Sequence, residues 1–276
     1  MQRRKFITQD NSSNLMITAV SQGMDNYAYV ISNPLSGEAA LVDALESESL
    51  FELEERLGVK ITTIFNTHHH GDHVGANRKI KEIRESEGLK LHVYGSQFDF
   101  EHERITYQTK VVNDGDKIHW AGHLIKVFEI PGHTLGHLGY LLDKHFFCGD
   151  TVFLGGCGRL FEGTPAQMYQ SIHHTIAPLG PHIKLYPAHE YSLQNLRFAS
   201  WLFEDEQLQH RMQELQVKLQ SNGTTLPTTV AHEFAYNPFF KIADESYRSS
   251  LKVLNESEKN DPVMAFAKIR ALKDSF

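Results

Sequence analysis

One short segment constrains this chain more than any other: Thr67-His-His-His-Gly-Asp-His73. The apolar run Ile61–Asn66 before it predicts a buried strand, and Asn77–Glu87 after it predicts a helix. Metal sites are commonly built on such loops, because a strand end holds side chains rigidly and leaves their outer faces open. His68 and His70 are two positions apart, so an extended backbone points both the same way. The segment therefore predicts a metal site at a sheet edge.

Three further predicted strands end in donors of the same kind. Each of three sequences places one histidine or aspartate just past a strand: Glu129-Ile-Pro-Gly-His133, Phe146-Phe-Cys-Gly-Asp150 and Leu185-Tyr-Pro-Ala-His189. Any one of them alone is more often a turn residue than a ligand, but together with the histidine cluster they predict metal. Imidazole and carboxylate donors without thiolate suit Zn²⁺, Fe²⁺ or Mn²⁺.

Composition excludes several classes of protein. The chain has 276 residues and a net charge of −7, which argues against a general binder of nucleic acid or anionic membranes. Its only cysteines, Cys148 and Cys157, provide no disulfide framework and are expected to fill core space in a reducing compartment. The basic residues 2–5 precede no apolar segment of a signal peptide, and no apolar run is long enough to span a membrane. We expect a cytoplasmic protein that is a monomer and acts on a small molecule.

The chain changes character near residue 190. Before it, β-rich runs are followed by alternating strands and helices, which predicts mixed sheets covered by helices, an α/β fold. After it the strand signals stop, Ser192 is expected to cap a helix, and Asp261-Pro262 begins a last helix that runs to about Lys273. The sequence therefore predicts a mixed α/β domain at 1–190 and an all-helical domain at 191–276.

The spacing of the strand-end donors resembles the metallo-β-lactamase superfamily. The resemblance implies a four-layer αββα sandwich with two metal ions at the open edge between its sheets. Asp72 is also expected to be catalytic, orienting the attacking hydroxide, whereas His69 is not a ligand in this family. The implied ligands are His68, His70 and His133 for the first metal, Asp72, His73 and His189 for the second, and Asp150 bridging the two. An aspartate at the bridging position, where antibiotic-degrading members differ, argues against that activity.

A more specific resemblance covers nearly the whole chain. The segments Gly149–Thr164, His189–Phe198, Phe234–Phe239 and Arg270–Asp274 are similar to hydroxyacylglutathione hydrolases, the glyoxalase II family. The family implies hydrolysis of the thioester S-D-lactoylglutathione to D-lactate and glutathione in methylglyoxal detoxification. Two divalent ions are expected, with zinc first and iron or manganese as alternatives. The implied substrate-binding residues are Arg159, Phe161, Tyr191, Arg270 and Lys273.

Three of these substrate-binding residues can also be interpreted from the sequence itself, and a fourth differs from the family pattern. Arg270 and Lys273 are three apart and share one helix face, although basic residues in a last helical turn are often only solvated. Tyr191 either donates its hydroxyl to substrate or only packs beside His189. Phe161 stands where the family commonly has tyrosine and so lacks one hydroxyl contact.

Three alternative functions remain open at this point. A glutathione persulfide dioxygenase shares the scaffold but uses one iron ion, which a complete second ligand set argues against. A metallo-nuclease shares the histidine cluster, but the negative charge and the lack of a basic stripe disfavour it. A non-catalytic module that binds metal or glutathione would need one defective ligand set, and every ligand position is filled.

Overall fold

A computed structural model describes residues 5–12 and 15–276, so residues 1–4 of the basic amino terminus lie outside the described residues. The chain folds into two compact units. The amino-terminal unit comprises the described residues up to Glu129 together with Gly136–Gly149. The carboxy-terminal unit comprises Ile130–Leu135 and Asp150–Phe276. Among the described residues, no helix is long and apolar enough to cross a membrane.

The amino-terminal unit contains a mixed seven-stranded sheet whose strands follow chain order. Its first four strands are antiparallel, and the last three join by parallel pairing because helical crossovers connect them. The strands are β1 (Phe6–Ser12), β2 (Leu15–Gln22), β3 (Asn26–Asn33), β4 (Glu38–Val42), β5 (Lys60–Phe65), β6 (His92–Ser96) and β7 (Lys110–Val112). The helices are α1 (Glu48–Leu57), α2 (Gly71–Val74), α3 (Asn77–Ser86) and α4 (Gln97–Glu101).

A second, antiparallel group of strands in this unit packs against the first sheet. It consists of β8 (Lys117–Trp120), β9 (His123–Glu129), β10 (Leu138–Leu142) and β11 (His145–Gly149), each paired with the next. The ring centroids of Phe65 and Tyr140 lie 5.1 Å apart across the interface. The Tyr140 hydroxyl also donates to the carbonyl oxygen of Asn66 at 2.9 Å, which fixes the end of β5. The sheets therefore meet at the strand that leads into the histidine cluster.

Helices α1 and α3 cover the other face of the seven-stranded sheet. Leu50, Leu53 and Ile80 from these helices are buried in one apolar cluster with strand residues. Between the same two helices, the buried Arg84 guanidinium of α3 donates to both carboxylate oxygens of Glu54 on α1, at 2.7 and 2.6 Å. A buried charge pair of this kind needs both partners, because either one alone would be an uncompensated charge in a low-dielectric interior.

The carboxy-terminal unit is mainly helical. Its helices are α5 (Pro165–Gln170), α6 (Ser192–Leu202), α7 (Glu206–Asn222), α8 (Val230–Tyr236), α9 (Pro238–Lys241), α10 (Glu245–Ser250), α11 (Glu256–Asn260) and α12 (Pro262–Asp274). A π-helical turn at Ser171–Ile176 and a 3₁₀ turn at Ala177–Leu179 follow α5. Its strands form two short antiparallel pairs, β12 (Val152–Phe153) with β13 (Gly156–Cys157) and β14 (Lys184–Pro187) with β15 (Thr228–Thr229).

Two local expectations differ from the structure. Ser192 is the first residue of α6 and not its cap, because Tyr191 occupies the cap position. The Ser192 hydroxyl instead contacts Glu190 and Thr225, at 2.9 and 2.6 Å. A two-residue strand also occurs at Thr228–Thr229, beyond the point where strand signals stop. The proposed domain boundary at residue 190 stays a prediction, since the compact units group Asp150–Phe276 together.

Candidate metal centre

The seven predicted metal ligands are distributed over both compact units. His68, His70, Asp72 and His73 belong to the amino-terminal unit, whereas His133, Asp150 and His189 belong to the carboxy-terminal unit.

In the amino-terminal unit, the first two cluster histidines point ring nitrogens at each other. His68 Nε2 lies 3.0 Å from His70 Nδ1. Two nitrogens that share one ion at about 2.1 Å in tetrahedral geometry lie about 3.4 Å apart, close to the observed separation. His68 is fully buried on the loop after β5, and the sequence folds this way because the apolar strand ends at Phe65. The pair therefore fits joint coordination of one divalent ion.

A buried aspartate at the end of β4 orients two of these histidines. Asp43 accepts hydrogen bonds from His73 Nδ1 at 2.9 Å and from the Thr67 hydroxyl at 2.7 Å. The Thr67 hydroxyl donates its proton to Asp43. The Thr67 oxygen can therefore accept a hydrogen bond from His68 Nδ1, which lies 3.0 Å away. Both imidazoles are thus protonated on Nδ1 and expose the Nε2 lone pair, as metal-ligating histidines require.

The Asp72 carboxylate is positioned in the same unit by an amide. Asn26, at the start of β3, donates to Asp72 Oδ2 at 2.9 Å. The same oxygen lies 3.6 Å from His73 Nε2. A carboxylate oxygen of Asp72 and a ring nitrogen of His73 therefore lie close enough on α2 to bind the same ion.

The middle histidine of the cluster has different partners. The Arg104 guanidinium donates to His69 Nε2 at 2.6 Å, and His69 Nδ1 lies 3.3 Å from the buried Asp99 carboxylate. Both ring nitrogens are engaged with charged side chains, in agreement with the expectation that His69 is not a ligand.

In the carboxy-terminal unit, Asp150 lies between two histidines. Its Oδ2 is 3.4 Å from His133 Nε2, and its Oδ1 is 3.5 Å from His189 Nε2. All three side chains are buried. A carboxylate that turns one oxygen to each imidazole has the arrangement that a bridging ligand requires.

The backbone fixes the geometry around His133 and Asp150. His133 Nδ1 donates to the carbonyl oxygen of Arg159 at 2.8 Å, which leaves Nε2 as the lone-pair nitrogen facing Asp150. A Cβ at Gly158 would lie 2.0 Å from the Asp150 carbonyl oxygen, so only glycine fits at that position. The chain therefore folds back tightly over the aspartate.

Aromatic rings hold His189. The Tyr191 ring stacks on the His189 ring with a centroid distance of 4.8 Å and an interplanar angle of 4°. The Phe153 ring meets both of them edge-on, at 5.9 Å from His189 and 5.1 Å from Tyr191. Tyr191 thus packs against the histidine that it neighbours in sequence, and its side chain also reaches the adjoining cavity.

A cavity of about 380 Å³ opens beside these residues within the carboxy-terminal unit. Its walls include two predicted metal ligands and all five predicted substrate-binding residues. Its lining is His133, Asp150, Phe153, Cys157, Arg159, Phe161, Tyr191, Gln194, Asn195, Arg270 and Lys273. Phe161 is 62% exposed, with its ring 5.2 Å from that of His133.

The cationic part of the cavity is built on α12. Arg270 is buried, and its Nη1 donates to the carbonyl oxygen of Cys157 at 2.7 Å. Burial first, and then the positive charges of Arg270 and Arg159, lower the pKa of the Lys273 ammonium to about 8. An anion bound at this end would relieve that repulsion between like charges. Burial raises the pKa of the Cys157 thiol to about 11, so it is a packing residue there.

Two buried polar side chains from the helical region hold the hairpin of β12 and β13. Glu233 accepts hydrogen bonds from the Gly155 amide at 2.8 Å, the Thr228 hydroxyl at 2.6 Å and Asn237 Nδ2 at 2.8 Å. Asn237 Nδ2 also donates to the carbonyl oxygen of Gly156 at 2.9 Å. Burial raises the pKa of Glu233 to about 7, although these hydrogen bonds act in the opposite direction. The hairpin carries Phe153 to the cavity.

Sequence reasoning missed several of these supporting residues. Asp43 had a detectable signal, since it follows an apolar strand as Asp150 does. Phe153 and Asn237 lie in segments that carry the resemblance, but no role was predicted for them. Asn26 and Glu233 had no signal, because their partners are far away in the sequence. What identifies them is the hydrogen bond or ring contact each makes.

Each unit presents histidine and carboxylate donors at strand ends, and together with the helical region after residue 190 this donor set indicates a divalent-metal protein of the metallo-β-lactamase type. The family model for the metallo-beta-lactamase superfamily matches residues 23–197, and the model for the hydroxyacylglutathione hydrolase C-terminus matches residues 190–276. The predicted fold class is thereby confirmed.

Curated relatives narrow the class further. The hydroxyacylglutathione hydrolase of Synechococcus sp. (strain JA-2-3B'a(2-13)) is 41% identical over 255 residues, covering 91% of this chain and 96% of the relative. That of Crocosphaera subtropica is 39% identical over 260 residues with the same coverage. The crystal structure of ETHE1 from Myxococcus xanthus has a TM-score of 0.62 at 22% identity, covering 94% of this chain and 98% of that one, a likeness of fold alone. The chain belongs to the hydroxyacylglutathione hydrolase family, and the predicted thioester hydrolase class is confirmed.

Proposed function

We propose that this protein hydrolyses S-D-lactoylglutathione to D-lactate and glutathione, with two divalent metal ions held by the seven residues named above. One observation carries the proposal: a single cavity is lined by two predicted metal ligands, His133 and Asp150, and by three cations, Arg159, Arg270 and Lys273. A substrate for it needs a reacting carbonyl at one end and carboxylates at the other. A glutathione thioester has both.

The residues present fit divalent metals. The donors are imidazole and carboxylate, the set that suits zinc, iron or manganese. His68, His73 and His133 each expose Nε2 because their Nδ1 atoms are engaged with Thr67, Asp43 and the Arg159 carbonyl. We propose zinc as the native ion. When bound, the metals supply a nucleophilic hydroxide at neutral pH and polarise a carbonyl oxygen.

The protein's own residues bind and orient. Asp72, held by the Asn26 amide, is proposed to orient the nucleophile that the metals would supply toward the thioester carbonyl. Arg159, Arg270 and Lys273 are proposed to bind the glutathione carboxylates. The Tyr191 hydroxyl and the Phe161 ring are proposed to contact the peptide portion. Departure of glutathione as a thiolate needs no dedicated acid, because the low basicity of a thiolate, whose thiol has a pKa of about 8.5, makes it a good leaving group.

Other features are proposed on the same basis. The proposed domains are a catalytic domain at 1–190 and a glutathione-binding helical domain at 191–276, which the positions of the two family models support. The proposed location is the cytoplasm, which two buried free cysteines support. The proposed oligomeric state is the monomer.

The test combines metal analysis with a choice of substrates. Purified protein is assayed with S-D-lactoylglutathione, glutathione persulfide and a β-lactam, and its metal content is measured. We expect about two ions per chain and hydrolysis of the thioester alone. Asp150→Ala should lose metal at both sites and nearly all activity, whereas the exposed control Glu204→Ala should keep both. Persulfide oxidation with one iron ion per chain, or full metal retention in Asp150→Ala, would contradict the proposal.

A further inference from the structure

The last residue of α12 places a negative charge on the cationic part of the cavity. Asp274 Oδ1 lies 3.2 Å from Arg270 Nη2 and 3.5 Å from Arg159 Nε. One carboxylate oxygen therefore contacts two of the three cations that line the cavity. Lys273 is the adjacent residue on the same helix.

Helix stability does not explain a carboxylate at this position. The carboxyl end of a helix carries partial negative charge, so it favours cations and disfavours Asp274. The pair with Arg270 also has the less favourable order, because the acid follows the base by four residues. The partial charge at the end of α12 would favour a neutral or basic residue at position 274. A residue that departs from such a local stability preference indicates a functional site.

Arg270 does not depend on Asp274 for its position. Its Nη1 donates to the Cys157 carbonyl at 2.7 Å, and its guanidinium lies 5.3 Å from the centre of the Phe239 ring. Arg159 is 64% exposed, and an exposed ion pair at 3.5 Å contributes little to stability. In Asp274→Asn the amide oxygen can still accept from Arg270 Nη2, so removal of the charge should leave both guanidinium groups near the cavity.

We propose that Asp274 is an affinity- and specificity-determining residue, an internal anion that competes with the carboxylate of the substrate for Arg159 and Arg270. The inference rests on the proposed function, since it assigns a carboxylate ligand to this cavity. The competing charge weakens the binding of substrate and of the glutathione product alike, because both carry the same carboxylates. Its effect falls on the ionic end of the ligand and leaves the reacting carbonyl untouched.

The expected effect follows from the charges. Asp274→Asn removes one negative charge beside three positive ones, and this should strengthen the binding of an anionic ligand about fivefold at low salt, or about 1 kcal/mol. The gain should shrink at high salt, because exposed charges are screened within a Debye length of about 8–10 Å. A neutral thioester that lacks the glutathione carboxylates should bind no better.

The experiment compares Asp274→Asn with wild type and with two controls. Asp274→Glu retains the charge, and Glu256→Gln removes an exposed carboxylate from α11, where it pairs with Lys259 at 3.3 Å. KM and kcat are measured for S-D-lactoylglutathione and for the neutral S-lactoyl-N-acetylcysteamine, at low and high salt. Calorimetry measures the binding of S-methylglutathione, which needs no turnover.

The expected result is a KM about fivefold lower in Asp274→Asn for lactoylglutathione alone, with kcat near wild type and S-methylglutathione bound tighter by the same factor. Asp274→Ser should act in the same way and serves if the asparagine variant folds poorly. An unchanged or higher KM and Kd in the neutral variants would overturn the proposal. If wild type binds S-methylglutathione but hydrolyses no thioester, the proposed function fails. The calorimetric affinities of wild type and Asp274→Asn then still show whether Asp274 competes with the bound carboxylate.

Discussion

The buried carboxylate of Glu233 allows a prediction that links structure to pH. Burial raises its pKa from 4.5 to about 7 in the folded protein. Because the folded state holds the proton more tightly than the unfolded chain, the native state binds more protons between these values. The stability that Glu233 contributes is present below pH 4.5 and is lost as pH rises toward 7 and beyond. The substitution Glu233→Gln should remove this dependence.

The magnitude follows from the same two values. The gap between 4.5 and about 7 corresponds to about 3 kcal/mol, at about 1.4 kcal/mol per pH unit. Glutamine can satisfy the site, because its oxygen can accept from the Gly155 and Asn237 donors as Oε2 does now. The Thr228 hydroxyl can then rotate and accept from the new amide. Glu233→Gln should thus gain stability relative to wild type by about 3 kcal/mol between pH 4.5 and pH 8.

The assay is urea unfolding of metal-free protein at a series of pH values, for wild type, Glu233→Gln and the exposed control Glu204→Gln. Other titrating groups are common to all three, so they cancel in the differences. A stability difference between wild type and Glu233→Gln that stays constant from pH 4.5 to pH 8 would refute the reasoning. It would mean that this carboxylate does not titrate in its buried site with a raised pKa.

Further substitutions test other parts of the structure. Arg84→Met should destabilise the protein by about 3–5 kcal/mol, because it leaves the buried Glu54 carboxylate uncompensated, and adding Glu54→Leu should restore much of the loss in urea unfolding. Arg270→Ala should raise KM for lactoylglutathione about tenfold with little change in kcat, since the lost contact is made in both ground and transition states. Gly158→Ala should lower metal content as measured by elemental analysis, because its methyl group would collide with the Asp150 backbone; normal metal content would contradict that tight fold-back.

The parts of the fold that could be predicted are those encoded locally. Helix α3 begins at the predicted Asn77 and ends at Ser86, one residue before the predicted end, and Asp261 caps α12 by accepting from Val263 and Met264 as expected. The strand ends were also predictable, since an apolar run that stops at a polar residue marks the sheet edge. The candidate ligands follow from that pattern and the resemblance.

What sequence could not supply depends on distant partners. Ser192 has the composition of a helix cap, yet its hydroxyl is used by Glu190 and by Thr225, 33 residues away. Glu233 looks like an ordinary surface acid of a helix until its bond to the Gly155 amide, 78 residues away, is seen. The contact between Asp274 and Arg159 is likewise invisible in the sequence, because only the folded chain brings Arg159 to α12.

The hydrogen bonds of Asp43 have a consequence for how the protein acquires its metals. By fixing the rings of His68, through Thr67, and of His73, this carboxylate sets their orientation within the folded chain itself. Conformational entropy is thus lost during folding and not during metal uptake. In zinc fingers, by contrast, the chain is unfolded until metal arrives. Here chelation should empty the sites and leave a folded scaffold that reloads rapidly.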